Sequence, residues 1–372
     1  MRRSTPFVAL AAALALGACA DAPGTAPEGA SFAANEHAPI YLVTFKDGVD
    51  VDATTAELSR GHGFAVRFTR HHAAPGFSAA IPEHRVSKIA ADPRVAIVEK
   101  DGIVTLDLPR VSARPGGGGG GGQSTPWGIT RVGGAGDGTG KTAWIIDTGI
   151  DLNHTDLNTS KNCHVTFNGT TAQDGNGHGT HVAGTVAAKN NTQDVVGVAA
   201  NAYVCAVRVL GNSGSGSWEG IINGVNHVAA FGSSGDVANM SLGATGTLAT
   251  LETAVAAAAQ KGIKFVLAAG NSSAPASNFT PARVNGTNIY TISSISSNNC
   301  LSSFSNYGNP PVDWAAPGSS ILSTRKGGGT TTMSGTSMAA PHVAGILLLG
   351  SIRADGNVCN DRDSNPDPIA HR

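Results

Sequence analysis

From Ile40 to Glu99 the apolar positions fall into two kinds of stretch. Short runs rich in apolar, aromatic and β-branched residues mark strands at 41–46, 66–68, 77–81 and 95–99, while helices fall around Leu58 and at residues 83–90. The resulting order, β-α-β-β-α-β, is the ferredoxin-like plan of a small α+β unit. From Lys141 onward the pattern changes. Strands at 143–147, 203–210, 237–240, 264–268 and 289–295 alternate with helices at 178–188, 219–230 and 249–261, and an apolar helix after Gly335 closes the series. Such alternation implies right-handed crossovers and a mostly parallel sheet. Ligands of such sheets sit beyond the carboxyl ends of the strands, where Asp147 and Asn271 both fall.

Outside these two regimes the chain reads as leader, tether and linker. Arg2 and Arg3 precede an apolar run, residues 7–18, that is too short to span a bilayer and is followed by small residues, as in a secretory signal over residues 1–20. Leu16-Gly17-Ala18-Cys19 resembles a bacterial lipobox, and Ala18-Cys19-Ala20 also fits an ordinary cleavage site. Residues 21–38 are rich in Ala, Pro, Gly and Glu and read as a flexible tether. Residues 107–123 contain Pro109, Pro115 and seven glycines, 116–122, whose ordering would cost more entropy than a surface loop recovers. These segments bound an α+β unit at 39–106 and a larger α/β unit at 124–372.

Composition narrows the function classes. Of the 372 residues 41% are hydrophobic, enough for a sizeable core, and only 14% are charged with a formal net charge of -1. Nothing favours a nucleic acid or another polyionic partner. Beyond Cys19 four cysteines remain, Cys163, Cys205, Cys300 and Cys359, an even number in an exported chain, so disulfides are expected. No Cys-x-x-Cys pair supports zinc.

The candidate chemistry lies in three separated motifs. Gly335-Thr336-Ser337-Met338-Ala339 delivers a serine to the start of an apolar helix. A serine hydroxyl needs a base, a group that orients the base, and donors for an oxyanion. His178 in Gly177-His178-Gly179-Thr180-His181 suits the base, Asp147 at a strand end suits the orienting carboxylate, and Asn271 after Ala268-Ala269-Gly270 offers a side-chain donor. The Ser337 backbone N–H, at a helix N-terminus, offers the second. The order Asp-His-Ser is that of subtilisin rather than of chymotrypsin or the α/β-hydrolases.

On these motifs residues from about Trp127 to Gly350 resemble the subtilisin-like serine proteases, closest to the proteinase K branch. The resemblance implies a three-layer α/β fold with a mostly parallel central sheet, preceded by a small ferredoxin-like α+β propeptide that assists folding and then blocks the site. It also implies a monomeric endopeptidase made as an autoprocessed zymogen, cutting itself between residues 106 and 123 and needing no cofactor for its chemistry. A lipid on Cys19 would then anchor only the propeptide. In such a sheet Cys163 and Cys205 would lie on neighbouring strands, giving the pairs Cys163–Cys205 and Cys300–Cys359. Ser241-Leu242-Gly243 and Ala268-Ala269-Gly270 match the segments that hold the substrate backbone and wall the primary pocket. Gly214-Ser215-Gly216 matches the opposite strand, with Trp218 and Ile221 at a pocket further along. No acidic residue lies in these segments, so an apolar side chain before the scissile bond is expected, with broad specificity because an added strand is read mainly through its backbone. Asp313 matches a calcium-binding aspartate of that branch.

Other readings are weaker. His181 lacks a third ligand for a metal pair with His178 and takes a structural role in the family. Asp147-Thr148-Gly149 occurs in aspartic proteases, but those need a second such carboxylate. Gly140-Lys141-Thr142 lacks the first glycine of a P-loop. A secreted binding module with an inactive triad is the non-enzymatic alternative. Asp361, Asp363, Asn365 and Asp367 alternate like a hard-cation loop, but Pro366 occupies the position of the required glycine, so a solvated acidic tail is expected.

Overall fold

The computed structural model describes residues 38–107 and 122–372. The signal segment with Cys19, nearly all of the tether and the interior of the 107–123 linker lie outside them. No described helix is long and apolar enough to cross a membrane.

The first elements are β1 (Ile40–Phe45), α1 (Val51–His62), β2 (Val66–Arg70), β3 (Gly76–Ala80), α2 (Glu83–Ala90) and β4 (Val95–Lys100), followed by a short strand β5 (Ile103–Thr105). Their antiparallel sheet runs β2-β3-β1-β4, the strand order of the ferredoxin-like plan. Its core gathers Val43, Phe45, Leu58, Phe77, Ile81 and Ile89. Asp50 caps α1 through the Ala53 N–H, and Gly63 ends it in the left-handed region.

The larger unit is built on β6 (Thr142–Asp147), β7 (Val165–Thr166), α3 (His178–Ala187), β8 (Tyr203–Arg208), β9 (Ser215–Ser217), α4 (Trp218–Phe231), β10 (Val237–Met240), α5 (Ala249–Ala259), β11 (Lys264–Ala268), β12 (Ile289–Ile295), β13 (Val312–Pro317), α6 (Thr336–Leu349), β14 (Arg353–Asn357) and β15 (Pro368–His371). The main sheet has the order β14-β15-β13-β12-β11-β10-β6-β8-β7, parallel except at the β14 edge. Every residue of β6 is buried, and its alternation divides the core in two. Ala143 and Ile145 join the layer of α3 and α6, while Trp144 and Ile146 join that of α4 and α5. A strand apolar on both faces between two helical layers is what a parallel sheet requires. This is the expected three-layer α/β fold.

Both expected disulfides are present, Cys163–Cys205 with Cα atoms 5.4 Å apart and Cys300–Cys359 at 4.3 Å. The tail departs from expectation. It is not a solvated acidic run: β15 joins the main sheet beside β13, Ile369 and Ala370 are buried, and buried Asp367 accepts the Ser293 hydroxyl. Arg353–Asn357 has Ala354 as its one apolar side chain and Pro368–His371 spans only four residues, so the hairpin depends on tertiary partners that local pattern does not reveal.

Candidate active site

Asp147 ends β6 and His178 opens α3, both wholly buried. His178 Nδ1 lies 2.8 and 2.9 Å from the two Asp147 carboxylate oxygens, which fixes the proton on Nδ1 and leaves the lone pair on Nε2. Nε2 is buried and makes no hydrogen bond within the protein. The approach needs glycine: a Cβ on Gly179 would stand 2.1 Å from the Gly149 carbonyl oxygen and 3.1 Å from Asp147 Oδ1.

A residue the motif reading did not single out ties these pieces together. Asp174 is buried, and its Oδ1 accepts from Thr148 Oγ1 at 3.0 Å, Asn176 N at 2.9 Å and Gly177 N at 2.8 Å. Its Oδ2 accepts from Thr180 N at 3.0 Å and Thr180 Oγ1 at 2.6 Å. Thr148 in turn donates its N–H to Asp147 Oδ1 at 2.6 Å and accepts from Gly179 N at 2.9 Å. One carboxylate therefore holds the loop after Asp147 against the start of the His178 helix. The only signal in the sequence is an aspartate four residues before the histidine.

Ser337 is the second residue of α6, and its Oγ donates to the Ser241 carbonyl at 3.2 Å, while Ser241 Oγ donates to the Ser337 carbonyl at 2.8 Å. Asn271 Oδ1 accepts from Thr336 N at 2.8 Å and Thr336 Oγ1 at 3.0 Å, which commits that oxygen and turns Nδ2 outward. Nδ2 donates, at 2.5 Å, to the main-chain carbonyl of Asp107.

Asp107 arrives there because the chain lays its own residues 103–107 beside this site. β5 pairs antiparallel with β9, Val104 opposite Gly216 and Thr105 opposite Ser215, and Leu106 N donates to the Gly214 carbonyl at 3.0 Å. Val104 is wholly buried in a cluster with Ile221, Leu242 and Trp218. Ser241-Leu242-Gly243 and Ala268-Ala269-Gly270 border one cavity of about 220 Å³, which Asn271, Ser337 and Asp107 also line.

The subtilase family model matches residues 138–352. The chain belongs to the subtilase family. It is 44% identical over 291 residues to alkaline serine exoprotease A of Vibrio alginolyticus, covering 75% of this chain and 52% of that one. It is 38% identical to the subtilisin-like serine protease AsES of Sarocladium strictum, covering 82% and 78%, and 40% identical to an alkaline protease of Alkalihalobacillus alcalophilus, covering 74% and 68%. The chain thus spans about half the length of the Vibrio relative. A crystal structure of a cold-adapted subtilisin-like serine proteinase superposes with a TM-score of 0.58 at 41% identity, covering 66% of this chain and 97% of that one.

Two further residues weighed as metal ligands, His181 and Asp313, have partners within the protein. His181 is wholly buried, with Nε2 3.0 Å from the Ile321 carbonyl, and burial pulls it down to about 3, so it remains a neutral structural residue. Asp313 Oδ2 accepts from Thr291 N at 2.8 Å, and burial pushes its carboxyl up to about 6. Among the described residues no group of three His, Cys, Asp or Glu side chains is arranged to hold a metal ion.

Proposed function

We propose that this subtilase is an exported serine endopeptidase, made as a precursor in which residues 39–107 act as an inhibitory and folding-assisting propeptide and the first cut falls between Asp107 and Leu108. The observation that carries the reading is the Asp107 carbonyl held by Asn271 Nδ2 while residues 103–105 form an added strand on β9. A peptide carbonyl resting on an oxyanion donor at the start of the serine helix is the pose of a bond about to be cut, or of its product.

In this reading His178 Nε2 takes the Ser337 Oγ proton as Oγ bonds to the Asp107 carbonyl carbon. The carbonyl electron pair moves onto oxygen, stabilised by Asn271 Nδ2–H and the Ser337 backbone N–H. Asp147 orients the imidazole and stabilises the imidazolium. The adduct collapses by breaking the bond to the Leu108 nitrogen, which receives the proton from His178. A water then repeats the sequence on the ester and frees Ser337. Substrates in trans would bind as the same added strand, with broad, apolar-leaning preference before the cut bond.

Contacts between the two units support the propeptide role. The Glu99 carboxylate accepts Ala249 N and Thr250 N, both at 2.8 Å, capping α5, whose own N-cap residue Leu248 makes no side-chain bond. Asp101 accepts Glu219 N at 2.9 Å near the start of α4. Buried Glu219 receives Arg67 at 3.0 Å and the Ser78 hydroxyl. Helix starts left short of acceptors in one unit are satisfied by the other, as expected of a folding template.

The test compares intact masses of the wild type and Ser337→Ala. The wild type should yield a product beginning at Leu108, trimmed further towards Gln123, and Ser337→Ala should remain uncut. Equal cleavage of both would refute self-processing.

A further inference from the structure

Asp107 does not suit the pocket beside it. The cavity of about 220 Å³ remains open with Asp107 in its rim, and it exceeds the roughly 150 Å³ of an engineered apolar cavity that accommodates benzene. Leu242, Ala268, Ala269, Phe279 and Ala282 give it apolar walls, and no cationic side chain lines it. The Asp107 side chain stays exposed, with one hydrogen bond, from Ser272 Oγ at 3.3 Å. A carboxylate entering such walls without a counter-charge would lose its hydration for nothing in return, so it keeps to the rim. The grip on residues 103–107 comes instead from the β9 pairing, from buried Val104 and from the carbonyl on Asn271.

Building on the endopeptidase reading above, we propose that Asp107 is a deliberate misfit in the self-cleavage site: it presents the bond to be cut while leaving the primary pocket unfilled. The precursor therefore cuts itself slowly, and the product tail is held weakly enough for a substrate with a large apolar side chain at that position to displace it. The device separates two demands on one segment. Strand pairing places the Asp107 carbonyl, and the empty pocket keeps the resulting inhibitor from becoming permanent.

The experiment uses the full chain as wild type, Asp107→Leu and Asp107→Asn, following the first-order rate of self-cleavage and then the lag before full activity on a small peptide. Filling an apolar cavity with a leucine side chain favours binding by at least about tenfold. Asp107→Leu should therefore process at least about tenfold faster and show a lag at least about tenfold longer. Asp107→Asn, which removes the charge without filling the space, should change either by less than about threefold. A leucine variant no faster and no more tightly inhibited, or an asparagine variant that matches it, would overturn the proposal. Should the leucine variant fail to fold, the wild type is assayed on peptides that differ only in the residue before the cut. kcat/KM for phenylalanine should exceed that for aspartate by at least about a hundredfold, and near parity would overturn the misfit while leaving the endopeptidase reading intact. Failure to cut any peptide would overturn both.

Discussion

Replacing Asp174 by asparagine tests whether the Asp147–His178 pair is held from behind. The carboxylate accepts five hydrogen bonds, three on one oxygen and two on the other, all from groups that can only donate there or are oriented to donate. An amide has one acceptor oxygen, so its NH₂ must face either the Thr180 pair or the trio from Thr148, Asn176 and Gly177. At least two bonds to a charged acceptor are lost, each worth about 1.5–3 kcal/mol, for a destabilisation of about 3–6 kcal/mol. For a unit of this size that lowers Tm by about 10 °C and leaves a folded population. The catalytic effect should be separate: misplacing the imidazole by about 1 Å costs on the order of a hundredfold in kcat. Asp174 does not border the substrate cavity, so KM should change by less than about threefold. The assay is kcat and KM on a peptide substrate beside a thermal melt, with Asp174→Glu as the variant that keeps the charge and restores part of the rate. A variant whose rate is within about threefold of wild type, or whose loss is carried by KM alone, would refute the positioning role.

Asn271→Ala should lower kcat by about 10² to 10³ with little change in KM, the range known for the equivalent donor in subtilisin, and single-turnover kinetics would check it. Glu219→Gln removes the charge that receives Arg67 and Ser78; inhibition by the propeptide should weaken by roughly 30-fold, equivalent to about 2 kcal/mol, while peptide hydrolysis by the processed enzyme stays within about twofold. Replacing Cys300 and Cys359 with serine opens a loop whose closure is worth about 4 kcal/mol in the chain-entropy account, and protease nicking should then concentrate near residues 350–372. Asp367 supplies a pH test: burial pushes its carboxyl up to about 7, so the folded state keeps a proton that the unfolded chain has released. Its contribution is complete below about pH 4 and is lost as pH rises through about 7, so Asp367→Asn should flatten the decline in Tm over that range.

The residues legible in the sequence are those whose roles are local. Asp147, His178, Asn271 and Ser337 sit in short motifs that fix their own backbone, and β6 shows its two-sided burial as an unbroken apolar run. What stayed hidden depends on partners far away in the chain. Asp174 looks like any loop aspartate until five donors converge on it. β15 is four residues in a polar tail and becomes a strand only because β13 offers an edge and Cys359 is tied to Cys300.

The same reasoning explains why residues 103–107 pass for the beginning of a linker. Only Val104 of Ile103, Val104 and Thr105 is buried, and Ile103 is 72% exposed, so the segment has no face with which to fold alone. Its strand conformation is supplied by β9 and its endpoint by Asn271. A segment stable only in the cleft is ordered while attached to the preceding unit and loses that advantage once that unit departs. In the proposed reading, self-inhibition follows from the linkage of a weak strand to a well-anchored domain. Loosening the anchor at Glu99 and Glu219 should then ease the displacement of that strand by substrate, with no rearrangement of the pair at Asp147 and His178.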